Sequence, residues 1–234
     1  MITLYRLDAP GAYRTVWLLE ELQLAYQISS QAHQNHHLTQ CPQIIPQICL
    51  QDESFHITGS CTIADFVLNK YDRRGLRPPI ASTAYIDYQQ WVHYIECALL
   101  PCIQQWLGAE KLANSRVPFF ARSILKKVVN TAVTQPLSES LQQNLLHIEQ
   151  TLSQSSWLCD NYFSVADIQL SYALELLSSK GFIQATEFPN IFAFLEAVQA
   201  RPAYKIAQEK VASYQVLPVV EEEVEQAESE AESS

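Results

Sequence analysis

The chain's 234 residues are enough to bury one large core or two modest ones, and 48% apolar with 17% charged residues is an ordinary globular balance. No apolar run reaches the ~18 residues that a membrane-spanning helix needs. The formal charge of −10 is uneven: residues 221–234 hold seven glutamates and no base, and no basic stripe with interleaved aromatics exists to bind nucleic acid.

The N-terminus, Met1 to Arg6, lacks the basic and apolar regions of a signal peptide, which predicts a soluble, unprocessed, cytoplasmic chain. Residues 2–7 (ITLYRL) are short and β-rich, a strand. Asp8-Ala9-Pro10-Gly11 is a turn, and from Ala12 to Leu24 apolar residues recur at near-helical spacing. Residues 26–32 predict a second strand and 33–43 a polar loop. Residues 44–50 predict a strand led by Pro46, 51–54 a turn, and Phe55-His56-Ile57 a return strand. Thr58-Gly59-Ser60 then leads into a helix over about 61–70. The order β-α-β, then β-β-α, suits a four-stranded mixed sheet with helices packed on it.

Residues 72–84 are basic, proline-containing and aperiodic, which predicts a linker. Beyond it the pattern gives helices at roughly 85–107, 117–132, 137–154, 165–178, 189–200 and 202–212. One helix start is well specified. In Phe163-Ser164-Val165-Ala166-Asp167-Ile168, Ser164 and Asp167 form a capping box, with Phe163 and Ile168 at the staple positions. The glutamate-rich end has too little apolar content to offset the entropy of ordering and is expected to be disordered.

Several segments together resemble the cytosolic glutathione transferases. Thr15-Val16-Trp17-Leu18-Leu19-Glu20-Glu21-Leu22 is similar to the first helix of many bacterial and fungal members. Ile45-Pro46-Gln47-Ile48 resembles their proline-led strand, and Thr58-Gly59-Ser60-Cys61-Thr62-Ile63 their Glu-Ser-x-x-Ile segment. The box at Ser164 and the run from Phe188-Pro189-Asn190 to Arg201-Pro202-Ala203-Tyr204 look like the family's last helices. The resemblance implies an α/β thioredoxin-like N-terminal domain (residues 1–76), a linker (77–84), an all-α helical-bundle domain (85–215) and an added tail (216–234). It also implies a homodimer.

The chemistry that the resemblance implies is the capture of reduced glutathione and stabilisation of its thiolate, the form that attacks electrophiles. Carried over by position, Ile45 and Pro46 would pair with the cysteinyl backbone of the tripeptide. By the same carry-over, Gly11 and Ala12 would lie beside its thiol. Ser60, at a helix start with free amides, would receive the γ-glutamyl carboxylate. Gly59 stands where the family usually has an acidic residue, which removes a partner for the substrate's ammonium group. The residue facing the thiol is the departure. Relatives have Ser-Arg where this chain has Pro10-Gly11, and proline offers neither a hydroxyl nor a backbone donor. Three replacements are open: Tyr13, Tyr5, or the amides of residues 11–13 at the helix start.

Other signals carry less. His33, His36 and His37 have only Cys41 nearby and lack the organised ligand set zinc requires, so no metal is expected. The six cysteines form no C-x-x-C pair and read as thiols, Cys61 included. Tyr88, Trp91, Tyr94 and Trp106 suggest a core stripe, with some of them lining the co-substrate pocket. The expected function is a glutathione transferase acting on a small apolar electrophile. A non-catalytic protein that keeps the fold for binding or scaffolding is the alternative, favoured by Pro10, Gly11 and Gly59.

Overall fold

In the computed structural model, residues 1–29, 47–160 and 162–216 are described, the side chains of Gln215 and Val216 excepted. Ile45, Pro46, the three histidines, Cys41 and the glutamate-rich end lie outside the described residues.

Four strands form one sheet: β1 (Ile2–Tyr5), β2 (Tyr26–Ile28), β3 (Cys49–Asp52) and β4 (Phe55–Thr58). Their order is β2-β1-β3-β4. β1 and β2 are parallel, Ile2 opposite Tyr26, and are joined through α1 (Tyr13–Glu21). β3 returns antiparallel on β1, with Leu4 opposite Leu50, and β4 closes a tight hairpin on β3. α2 (Ser60–Tyr71) follows β4 directly. This is the mixed thioredoxin-like sheet expected from the β-α-β, β-β-α order. Leu4 and Leu50 are fully buried, as the inward face of a two-residue period requires.

The following segment is irregular yet held by one side chain. Asp72 Oδ1 accepts the amides of Arg74, Gly75 and Leu76, and its Oδ2 accepts that of Arg77. Beyond it lie α3 (Thr83–Tyr94), α4 (Leu100–Ala113), α5 (Phe119–Val129), α6 (Gln135–Leu152), α7 (Val165–Ser179), α8 (Pro189–Ala200) and α9 (Pro202–Val216).

The break expected between residues 132 and 137 does not occur. α5 runs into α6 through a widened π turn, Asn130–Thr134, and α3 runs into α4 through another, Ile95–Leu99. Both precede a proline by two residues, Pro101 and Pro136. A proline has no N–H to give the helix, and its ring clashes with the carbonyl four residues back. The wider turn moves that carbonyl aside: the amide of Leu100 reaches back five residues to Ile95, and that of Gln135 to Asn130. The helix therefore absorbs the proline that the sequence pattern reads as a stop.

The sheet half and the helical half share one continuous core, from Leu4 and Trp17 through Ile95 and Leu145 to Phe194 and Val198. α1 is its hinge. Trp17 is fully buried, edge-on to Tyr204 of α9 at 5.2 Å between ring centres. The aromatic stripe of α3 and α4 packs toward α6. Trp91 stacks on His147 at 5.3 Å, Tyr94 donates to Asn144, and Trp106 Nε1 donates to Ser138 Oγ at 2.9 Å. Core packing is thus the role of these rings.

Candidate functional site

A cleft of about 390 Å³ opens where α1, α2, the α3–α4 helix and α7 converge. One wall is Gln47, Ile48, Thr58, Gly59, Ser60, Cys61 and Thr62. The other is Pro10, Arg14, Glu96, Leu100, Pro101, Gln104 and Tyr172.

The first wall is built around the start of α2. Gly59 turns the chain from β4 into the helix at φ +87°, a conformation that costs an L side chain strain, and a Cβ there would stand 3.4 Å from Gln47 Oε1. Ser60 is the first helical residue. The amide of Ile63 is taken by the carbonyl of Gly59, so the amides just before it point out of the helix end. A helix start with a serine hydroxyl beside it is a natural seat for a carboxylate. The Cys61 thiol shares this wall, but burial and then the nearby Glu96 and Asp65 push its pKa up to about 12. At neutral pH it stays protonated, which suits packing rather than thiolate chemistry.

The second wall contains a cation that sequence reasoning missed. Arg14 is buried: its Nε donates to the carbonyl of Gly11 at 3.2 Å, and its Nη1 to Glu96 Oε1 at 3.3 Å and to Gln169 of α7. Its guanidinium carbon lies 4.5 Å from the centre of the Tyr172 ring. Gly11 has φ +71°, and a Cβ there would come within 3.0 Å of Arg14 Nε and 3.1 Å of Tyr172 Cε1. Any other residue would be strained at this φ and would have to push the pair back by a few tenths of an ångström. One signal was available: Arg14 falls on the helical stripe of Trp17, Leu18 and Glu21, all buried.

The sequence-derived residues divide between cleft and core. Gly59 and Ser60 line the cleft. Gly11 supports it from beneath. Ala12 is buried, and its amide donates to the carbonyl of Ala9 at 3.1 Å. Tyr13 is buried and its hydroxyl donates to Glu175 Oε2 at 2.6 Å, beside the ring of Tyr204. Burial first, and the Glu175 charge second, hold the Tyr13 phenol well above its ordinary pKa. The Tyr5 hydroxyl donates to Gln51 Oε1 at 2.9 Å on the sheet. Neither phenol is among the described residues that line the cleft. Among the described residues, no group of three or more His, Cys, Asp or Glu is placed to hold a metal ion.

The match to known proteins follows the same architecture. The family model for the glutathione S-transferase C-terminal domain matches residues 115–208. Glutathione S-transferase 3 of Schizosaccharomyces pombe is 26% identical over 217 residues, covering 90% of this chain and 88% of that protein. The structure of glutathione transferase URE2P8 from Phanerochaete chrysosporium, with oxidized glutathione, superposes with a TM-score of 0.74 at 18% identity, covering 92% of this chain and 97% of that one. Ure2p5 of the same organism, cocrystallized with 1-(S-glutathionyl)-2,4-dinitrobenzene, gives a TM-score of 0.70 at 20% identity, covering 93% of this chain and 97% of that one. Sheet order, helix order and these matches agree: the chain is similar to the glutathione transferase superfamily in fold and in sequence, with the C-terminal domain model matched over residues 115–208.

Proposed function

We propose that this protein binds reduced glutathione in the cleft between α2 and α7 and directs its thiolate at a small electrophile. The observation that carries the reading is Ser60, placed on the cleft at the start of α2 with Gly59 in a left-handed conformation before it. A hydroxyl and outward-pointing amides there match the γ-glutamyl carboxylate in charge and geometry. Solved relatives bound to oxidized glutathione and to a glutathionyl-dinitrobenzene conjugate support the same ligand class. Ile45 and Pro46 would add the backbone pairing for the cysteinyl part, and Gly11 and Ala12 would shape the floor near the thiol. Arg14, Glu96 and Gln104 give the co-substrate side of the cleft a more polar lining than a purely apolar electrophile needs.

Calorimetric titration with reduced glutathione tests this. Saturable heat is expected, and Ser60→Ala is expected to weaken binding about tenfold, the worth of one hydrogen bond to a charged group. No heat at millimolar glutathione and no thermal stabilisation would remove the reading. A non-catalytic binding or scaffolding protein would then be the better description.

The homodimer and the cytoplasmic location belong to the same proposal. Phe55 on β4 and Ile86 on α3 are large exposed apolar side chains of the kind that a partner copy covers. Sedimentation equilibrium is expected to give twice the chain mass; a monomer across the micromolar range would count against it.

A further inference from the structure

Pro10 has no hydroxyl to face the glutathione sulfur, and we propose that Tyr172 does so, reaching the thiolate from α7. The inference rests on the glutathione-binding reading above and adds a catalytic residue to it.

On the reading above, the γ-glutamyl carboxylate is held at Ser60 and the sulfur faces the opposite wall. That wall offers four polar side chains: Arg14, Glu96, Gln104 and Tyr172. Glu96 is an anion and repels a thiolate. Gln104 is an exposed neutral amide on the outer rim. The Nε and Nη1 donors of Arg14 are engaged with Gly11, Glu96 and Gln169. Tyr172 is half-buried, and its hydroxyl has no hydrogen-bond partner among the described residues. Its ring edge packs on Gly11, immediately after the proline that stands in the hydroxyl's usual place. Of the four, it joins an unbonded hydroxyl to a ring that packs at the start of α1.

The surroundings suit the task. The Arg14 guanidinium lies against the Tyr172 ring, draws electron density from it and makes its O–H a stronger donor. Burial outweighs that pull and keeps the phenol above its ordinary pKa, so it is protonated at neutral pH. A protonated phenol donates to an anion without competing for its proton. The sulfhydryl proton leaves to solvent, and the remaining sulfur lone pair accepts from Tyr172. That pair then forms the carbon–sulfur bond. With chlorodinitrobenzene as the electrophile, the carbon–chlorine electron pair departs as chloride. Tyr172 keeps its proton throughout.

The test compares the full chain with Tyr172→Phe, which removes one oxygen and keeps the ring on Arg14 and Gly11. Calorimetry measures glutathione affinity, and ultraviolet thiolate absorbance against pH gives the pKa of the bound thiol. Affinity is expected to stay within about twofold, because the carboxylate anchor is untouched. The bound-thiol pKa is expected to rise by about one to two units. The kcat for chlorodinitrobenzene at neutral pH should fall about tenfold or more and recover as the pH is raised, which a merely structural role would not produce. Binding with the same thiol pKa in both proteins would overturn Tyr172 and leave glutathione binding intact. An absence of binding in the wild type would overturn both. A wild-type bound thiol no more acidic than the ~8.5 of a free cysteine would overturn Tyr172 whether or not the variant folds.

Discussion

Asp167→Ala is expected to lower the free energy of unfolding by about 3–5 kcal/mol, a large share of the ~5–15 kcal/mol of a whole domain. The carboxylate is fully buried at the start of α7. Its Oδ2 accepts the amide of Ser164 at 2.8 Å and the Ser164 hydroxyl at 3.1 Å, and its Oδ1 accepts the amide of Leu158 at 2.9 Å. Alanine leaves two buried amides without acceptors, at about 1–3 kcal/mol each, besides the lost cap. Urea unfolding read by circular dichroism measures the loss. A loss under 1 kcal/mol would show that water or a neighbour replaces the carboxylate at no cost.

The same residue gives a pH signature. Burial outweighs the hydrogen bonds and pushes the Asp167 pKa up to about 6, from the ordinary 3.8. The folded state then holds this proton more tightly than the unfolded state. The stability it confers is fully present below pH 3.8 and is lost as the pH rises through about 6. Asp167→Asn removes the titration, so the stability gap between wild type and this variant should narrow across that window. A gap that widens with pH would show that the hydrogen bonds, not burial, dominate.

The second large effect is at Glu21. Arg201 grips it with both arms, Nε to Oε1 at 2.6 Å and Nη2 to Oε2 at 2.9 Å, and Trp17 Nε1 donates to Oε1 at 2.9 Å. The guanidinium lies 3.6 Å from the centre of the Phe163 ring. Glu21→Ala strands a half-buried cation against aromatic rings, which is expected to cost about 3 kcal/mol or more. Because Arg201 leads directly into α9, amide exchange should rise first in α9, ahead of the sheet. Adding Arg201→Ala should cost less than the two single losses summed, since the stranded charge goes with it. Uniform exchange, with no bias to α9, would contradict this docking role.

The sequence pattern reached the sheet because its signals are local: short β-rich runs, a hairpin turn, and Gly59 before a helix. It reached the Ser164–Asp167 box for the same reason, since the partners are three residues apart. It failed at Pro136, because a proline is a stop only if the helix cannot widen, and widening leaves no mark in the residue types. The cleft was legible on one wall. Gly59 and Ser60 are contiguous and carry a motif, whereas Arg14 and Tyr172 are separated by 158 positions along the chain and meet only because α1 packs on α7. Tyr13 was one of the three replacements that the sequence left open. The helix rotates that hydroxyl toward Glu175, and sequence register alone does not give rotation. α7 did carry a hint: Gln169, Tyr172 and Glu175 recur every third residue in a largely apolar helix, a polar seam facing α1.

The widened turn at residues 95–99 fixes more than the path of a helix. A π turn is in effect one residue inserted into a regular spiral, and each such insertion rotates everything beyond it by about 100° relative to everything before. Glu96 lies within this turn and Leu100, Pro101 and Gln104 just past it, all four on the cleft wall. Loss of a single residue there would restore a regular helix and swing one group off the cleft while leaving the other in place. The co-substrate wall is therefore tied to the count of residues between Tyr94 and Pro101. That stretch can vary in side chain to change what the cleft accepts, but it cannot vary in length without dismantling the wall.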